Sequence, residues 1–365
     1  MTIPKVMKGV QLIGHGGFDQ LEYSASIPVP EPGPGEVLIR VGAAGVNNTD
    51  INTRIGWYSK SVGEGTTSDA GREGATEAKS DDATWGGTPL SFPRVQGIDV
   101  CGTIVGVGDG VDTGRVGERV LITPCLNDPT GDDPFQAGFL GSECDGGFAQ
   151  YAKIASQFAY KINSDLSDVE LASFPCSYST AENMLTKANV SEGDRVLVTG
   201  ASGGVGSAAV QLAKRRGAKV VAVAGASKAH NVMMLGADNV IPRGSSVAAA
   251  LDGNSVDVVV DLVAGPEWPE LLEVLKPGGR YAVAGAMAGP MVELDVRTLY
   301  LKDLRLLGCT VLEPEVFGNL VGYIERGEIK PLVAGTYPLR EIVDAQEAFL
   351  TKKHTGKLVL VPPED

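Results

Sequence analysis

Residues 195–224 read RVLVTGASGGVGSAAVQLAKRRGAKVVAVA, and this stretch decides the fold. An apolar run, Val196-Leu197-Val198, enters a cluster of small residues, Gly200-Ala201-Ser202-Gly203-Gly204-Val205-Gly206. A helix-compatible segment follows through Lys214, then a second apolar run at 220–224. Strand, glycine turn, helix and strand make the first half of a dinucleotide-binding βαβ unit. Glycines there let the backbone approach a pyrophosphate, whose charge rests against the first N–H groups of the helix. The strict pattern is broken at its first position, where Ala201 stands for glycine, so the flanking strands carry much of the reading. They assign Ser202, Gly203, Gly204, Val205 and Gly206 to a cofactor cradle.

Working outward, 365 residues exceed one average core and suit two domains. Hydrophobic residues make up 43% and charged residues 21%, a globular balance. No apolar run approaches the ~20 residues of a membrane span, and the first residues, MTIPKVMKGV, lack a signal-peptide core. The expected location is therefore the cytoplasm, with no membrane partner. A formal net charge of -14 repels phosphate backbones and argues against nucleic acid. Five cysteines without paired spacing read as reduced thiols.

On the N-terminal side, residues 1 to 160 alternate strand-like runs with Gly/Pro punctuation. Strands are expected at 7–13, 21–23 and 36–41, with a short loop at 43–48 and a polar stretch at 47–52. Glycines 97, 102, 106, 108, 110 and 117 mark bulges and bends of a small, curved barrel. Residues 59–90 break the pattern, being rich in Gly, Ser, Thr and acids. They form either a surface excursion or a lid over the site, with Trp57, Tyr58 and Trp85 as its contacts in the second case.

On the C-terminal side, helices are expected at 168–174 and 178–188 before the glycine turn. Strands follow at 239–241, 256–262, 280–284 and 305–311, a helix lies at 268–275, and Lys276-Pro277-Gly278-Gly279 reads as a stop. Strands alternating with helices imply a parallel sheet covered on both faces. The tail carries helices at 316–326 and 342–351 and a last strand at 357–361. The divisions are 1–160, 161–312, and 313–365 returning to the first domain.

This order of parts resembles the medium-chain dehydrogenase/reductase superfamily, which joins a GroES-like β-barrel catalytic domain to a doubly wound Rossmann domain, an α/β architecture. The markers are Pro34-Gly35-Glu36-Val37-Leu38, Gly97-Ile98-Asp99 with Gly102, Val116-Gly117-Glu118-Arg119-Val120, Gly146-Gly147-Phe148-Ala149-Gln150-Tyr151, the glycine turn, and Leu275-Lys276-Pro277-Gly278-Gly279. In the zinc alcohol dehydrogenase branch, three ligand positions fall on Asn47, on Ile98-Asp99 and on Cys176. Only Cys176 keeps a thiol, and a catalytic zinc takes three protein ligands. The structural-zinc lobe would need four cysteines, whereas residues 124–145 hold only Cys125 and Cys144. The resemblance thus implies no metal and points to the zinc-free branch of quinone oxidoreductases and 2-enoyl thioester reductases. Those families show Asn-x-x-Asp and then Gly-x-Tyr, found here in residues 47–58, with Asn48 where they commonly carry proline. Tyr58 falls on the enoyl reductases' catalytic tyrosine.

For the cofactor, NAD selection places an acid at the end of the second strand. Gly225 stands there, no Asp or Glu lies between Val220 and Asn231, and Ser227 and Lys228 follow. A hydroxyl and a cation suit a 2′-phosphate, so NADPH is expected, although a solvated surface Lys228 would look the same. Thr180, Val263, Ala264, Gly285 and Ala286 fall where the family meets the nicotinamide, and each also fits plain strand-end packing. Hydride addition to a quinone or to the activated C=C of an α,β-unsaturated carbonyl needs a donor for the developing oxygen. Tyr58 is the candidate, with Asn47 and Thr49 lining, against the alternative that Tyr58 merely packs. The expected partner is a small electrophilic acceptor. Carbonyl reductase or alcohol dehydrogenase chemistry, and a non-enzymatic NADPH-binding sensor or structural protein, are the competing readings. The edge strand near 304–311 resembles the family's pairing edge, implying a homodimer or a tetramer.

Overall fold

A computed structural model describes residues 3–81, 83–84, 89–127 and 135–364. The chain divides into two compact units, one of Met1–Val62, Thr67–Cys176 and Phe317–Asp365, the other of Gly63–Thr66 and Ser177–Val316. The first boundary therefore falls after Cys176, later than residue 160.

The first unit is the GroES-like barrel. Its seven-stranded sheet runs Ala159–Lys161, Arg119–Ile122, Cys101–Val107, Glu36–Val46, Lys357–Val361, Val333–Pro338, with Tyr151–Ala155 also pairing Glu36–Val46. A three-stranded sheet sets Val6–Leu12 between Leu21–Pro28 and Arg94–Val95. The strand Glu36–Val46 slips register against Cys101–Val107 between Val41 and Ala43. Opposite the slip, a side chain on Gly102 would sit 2.3 Å from the Arg40 carbonyl oxygen, so the bend requires glycine.

Three expectations for this unit need correction. Residues 43–46 are strand and not loop, because Ala43, Ala44 and Val46 are buried and their backbone pairs with Cys101 and Lys357–Val361. The strand Val333–Pro338 was not expected, its Gly335 and Pro338 masking the pattern. The excursion at 59–90 is more than an open loop, since Thr67 caps a helix, Ser68–Glu73, by accepting from Ala70 N–H. That helix is tied down by the fully buried Arg54, which donates to the Gly71 oxygen at 2.6 Å, the Gly16 oxygen at 2.8 Å and Gln346 Oε1 at 3.1 Å. Ala70 and Ala75 of the segment also pack against the buried cluster of Ile51, Ile55 and Leu350. Trp85 lies outside the described residues.

The second unit holds a six-stranded, all-parallel sheet in the order Asn239–Pro242, Lys219–Ala224, Arg195–Val198, Val256–Asp261, Leu275–Val283, Arg305–Gly308. Its strands are near-continuous apolar runs, as a sheet covered on both faces demands. The order reverses beside Arg195–Val198, and ligands of such sheets bind at the carboxyl ends near that switch point. The expected stop at 276–279 is in fact strand. Leu275 pairs Val256 while Arg280 pairs Val258, and the extra residues Lys276–Gly279 are absorbed as a bulge. The edge strand is Arg305–Gly308, shorter than 305–311. No helix of the described residues is long and apolar enough to cross a membrane.

Candidate active site

In the second unit the cradle is built from backbone. Gly200 has a left-handed backbone (φ 59°), and the helix Gly204–Arg215 starts at Gly203, which is exposed and offers no side-chain cap. The first N–H groups of that helix therefore point outward without an internal acceptor, the arrangement that takes a phosphate. Gly206 permits the close approach of helix to strand, since a Cβ there would stand 2.3 Å from the Gly200 oxygen. Ser202, Gly204 and Val205 are half-buried around the same turn. The residues present fit a pyrophosphate.

Val263 and Ala264 lie just past the strand Val256–Asp261, and Ala264 is a non-glycine residue at φ 51°. What holds that strained turn was not foreseen. Asp261, fully buried, accepts from Val263 N–H at 2.9 Å and from Ala264 N–H at 3.1 Å. It also accepts 2.5 Å bonds from Thr199 Oγ1 and Tyr281 Oη. Burial, then the Asp261 charge, drives the Tyr281 phenol pKa up, keeping it a donor. Gly285 fits against the Leu262 oxygen, 2.9 Å from where a Cβ would be. Ala286 is half-buried beside the apolar core, and Thr180 is half-buried on the helix Pro175–Lys187. Ser227 and Lys228 sit in the turn Ala226–Lys228 after Gly225, Ser227 exposed and Lys228 half-buried.

In the first unit the site is built from side chains. Asn47 precedes the helix Asn48–Ile55, and the Asp50 carboxylate returns to accept from Asn47 N–H at 2.8 Å. Asn48 occupies the first helical position, where proline is well suited, so the helix starts in the same way without it. At the other end Gly56 is left-handed (φ 75°) and turns the chain back. That reversal brings Tyr58 over Thr49, Oη to Oγ1 at 2.9 Å, with Trp57 edge-on to the Tyr58 ring. Burial raises the Tyr58 phenol pKa against the opposing bonds from Thr49 and Asn52, so it stays protonated across the neutral range.

Asn47 is not a lining group. Its Nδ2 donates to Asp99 Oδ2 at 2.8 Å, and its Oδ1 accepts from the Lys357 ammonium. Lys357 also pairs with Asp99 Oδ2 at 2.6 Å, while Asp99 Oδ1 accepts from Cys176 N–H at 2.6 Å. All four of these residues are buried. Asp50, on the far side of Asn47, accepts weakly from Ile98 N–H at 3.3 Å. Burial pushes the Asp50 carboxyl up to about 7, opposed by the Asn47 N–H bond and reinforced by the Asp99 charge. Of the three positions that carry zinc in the metal branch, those at Asn47 and Asp99 contact the Lys357 ammonium, and Cys176 joins them through its backbone N–H. Asn47 faces a cation already, Ile98 offers no donor atom, and Cys176 alone keeps a thiol. Among the described residues no three His, Cys, Asp or Glu side chains gather as a metal-binding group. These donors do not fit a catalytic zinc.

Residues 33–164 match the alcohol dehydrogenase GroES-like domain family and residues 204–326 the zinc-binding dehydrogenase family. The chain is 31% identical over 365 residues to an acryloyl-coenzyme A reductase of Metallosphaera sedula, covering 97% of this chain and 99% of that one. The chain belongs to the medium-chain dehydrogenase/reductase superfamily, in its quinone oxidoreductase-like branch. Human quinone oxidoreductase is 28% identical over 374 residues, with 99% of both chains covered. A solved structure from Sinorhizobium meliloti, provisionally named an alcohol dehydrogenase, superposes with a TM-score of 0.89 at 45% identity over 99% of this chain and 98% of that one. These relatives of the superfamily are oxidoreductases, and the parallel sheet with its glycine turn is the superfamily's Rossmann unit.

Proposed function

We propose that this chain is an NADPH-dependent, zinc-independent reductase of quinones or of the activated C=C bonds of α,β-unsaturated carbonyls. NADPH, when bound, supplies the hydride. Ser202, Gly203, Gly204, Val205 and Gly206 hold its pyrophosphate, and Thr180, Val263, Ala264, Gly285 and Ala286 serve its nicotinamide end. The absence of an acid at Gly225, together with Ser227 and Lys228, favours the 2′-phosphate over a free ribose hydroxyl.

The observation that carries the acceptor reading is the Thr49–Tyr58 pair at 2.9 Å. An enolate or hydroquinone oxygen gains negative charge as hydride adds, and a neutral phenol held by a neighbouring hydroxyl stabilises it by hydrogen bonding. Because its pKa is raised, Tyr58 serves as a standing donor and gives up its own proton reluctantly. The proton that completes the product comes by way of Thr49 from solvent. Asn47 positions the helix that carries Thr49. The names of the relatives, an acryloyl-coenzyme A reductase and a quinone oxidoreductase, support both acceptor classes.

The Lys357 ammonium against Asn47 and Asp99 supports independence from zinc, since a second cation there would meet like charge. Turnover of NADPH with a quinone, an enone and a ketone, each with and without chelator, tests the class; collapse on chelation sinks the metal-free reading. In the same panel Tyr58→Phe is expected to lower kcat about a hundredfold, the scale of losing one donor to a developing oxyanion. Unchanged turnover removes Tyr58 from the chemistry.

The reading also places the protein in the cytoplasm, where its free cysteines stay reduced. Around the edge strand Arg305–Gly308, Met291, Tyr300, Leu301 and Leu306 are exposed apolar side chains, which supports a homodimer, singly or paired into a tetramer. Sedimentation as a monomer at micromolar concentration sinks that assignment.

A further inference from the structure

Three neighbouring strands of the second unit contribute one side chain each to a buried network that a backbone cradle does not by itself require. Thr199 follows the strand Arg195–Val198, Asp261 ends Val256–Asp261, and Tyr281 lies on Leu275–Val283. Asp261 Oδ1 accepts from Thr199 Oγ1 at 2.5 Å and from Val263 N–H at 2.9 Å. Its Oδ2 accepts from Tyr281 Oη at 2.5 Å and from Ala264 N–H at 3.1 Å. Thr199 Oγ1 in turn accepts from Leu262 N–H at 2.9 Å. All three side chains are buried. Among the described residues the partners of Asp261 are neutral donors, and half of them belong to one short turn.

That turn does not hold itself. Ala264 is left-handed at φ 51° and Gly265 follows at φ 76°, and an alanine resists that conformation. With the N–H groups of Val263 and Ala264 both drawn to one carboxyl, the peptide planes on either side are fixed. The Val263 oxygen is engaged as well, accepting from Ala288 N–H at 2.8 Å. The network also reaches the glycine turn, because Thr199 immediately precedes the left-handed Gly200. Val263 Cγ2 lies only 3.3 Å from where a Cβ on Gly200 would stand, so the two turns are seated on each other. The Tyr281 ring is edge-on to Trp268 at 5.5 Å, and a packed ring delivers its hydroxyl with little freedom. An apolar side chain at 281 would fill the same core without a polar atom to satisfy. The phenol is spent on the turn. Without it Asp261 Oδ2 keeps only the bond from Ala264 N–H.

We propose that Tyr281 and Asp261 are positioning residues for the hydride donor: they lock the turn Val263–Ala264 against the glycine turn and so orient the nicotinamide end of the dinucleotide. The proposal rests on the reading of the glycine turn as a dinucleotide site. Both residues are buried, so they act through the backbone of the turn. Their influence falls on one end of the ligand, because the bonds they make lead to residues 262–264 and not to the helix Gly204–Arg215.

Calorimetric titration of the full chain tests this without turnover, for the wild type, Tyr281→Phe and Asp261→Asn. The ligands are NADPH and NADH, each beside the fragment that lacks the nicotinamide end, 2′,5′-ADP or 5′-AMP. Tyr281→Phe keeps the ring against Trp268 and removes only the hydroxyl. It is expected to weaken the preferred dinucleotide about fivefold, the scale of one hydrogen bond, with the matching fragment unchanged within about twofold. Asp261→Asn turns an amide donor toward groups that are themselves donors, and is expected to weaken the dinucleotide at least as much. Where Asp261→Asn does not fold, Tyr281→Phe carries the test. If the wild type binds neither NADPH nor NADH, the dinucleotide reading fails and takes the assignment with it. If the wild type binds one of them and Tyr281→Phe binds it as tightly, the dinucleotide reading stands and the positioning assignment is overturned. An equal loss for dinucleotide and fragment overturns it too, since a merely structural role weakens both ends alike.

Discussion

The two units build their candidate binding residues on opposite plans. The cradle in the second unit is made of backbone, with Gly203 and Gly206 leaving space and a helix N-terminus supplying donors. The candidate residues of the first unit are side chains, with Asn47, Asp50, Asp99 and Lys357 forming a buried polar cluster near Thr49 and Tyr58. A backbone site tolerates most side-chain changes and fails where a Cβ intrudes. A side-chain site fails when one member of a charge-balanced set is lost, because its partner is then left buried and uncompensated.

The sharpest way to break that contrast is Lys357→Met. Asp99 would keep its bonds to Asn47 and Cys176 N–H but lose its cation, and unfolding in urea is expected to show a loss of about 3–5 kcal/mol. Pairing it with Asp99→Asn should restore much of that loss. If Lys357→Met alone is neutral, the cluster is solvated and the contrast falls. Next in size is Gly206→Ala in the cradle. Its Cβ would meet backbone at 2.3 Å, so the helix must shift, at a cost of about 1–3 kcal/mol. Nucleotide affinity should fall with it, which titration with 2′,5′-ADP reads directly.

A third effect is spread over pH. Asp50 has a folded pKa near 7 against 3.8 as a free side chain. Between these values the folded chain binds more protons than the unfolded one. This group's contribution to stability is therefore present at acid pH and is lost as pH rises toward and through 7. The slope it can impose is at most ~1.4 kcal/mol per pH unit. Asp50→Asn should flatten the stability profile between pH 4 and 7 relative to wild type. Parallel profiles would mean that Asp50 is ionised throughout and serves only as the cap of Asn47.

The residues that were legible in the sequence are those whose chemistry is local. Thr49 and Tyr58 are separated by one short helix and a left-handed Gly56, so their meeting follows from the chain between them. The partners of Asn47 were not legible, because its two amide partners lie 52 and 310 residues away. Asp261 was hidden for a different reason. It ends an apolar strand and resembles any strand-end acid, yet it collects Thr199 from one neighbouring strand and Tyr281 from the other. The excursion after Tyr58 was misjudged because composition predicts packing only when apolar burial does the holding. Here Arg54 adds a bond to the Gly71 oxygen, a device that leaves no hydrophobic pattern, beside the contacts of Ala70 and Ala75 with the Ile51, Ile55 and Leu350 cluster.

The sequence by itself determined the Rossmann unit and the absence of an acid at the strand end. Both are statements about consecutive residues, and backbone conformation is set at that range. Only the tertiary structure decided where the charges go: Lys357 against Asp99 and Asn47, and Arg54 onto the Gly71 oxygen of the excursion and the Gly16 oxygen. Electrostatic pairing acts through space, and a buried ion is stable only beside partners that folding delivers.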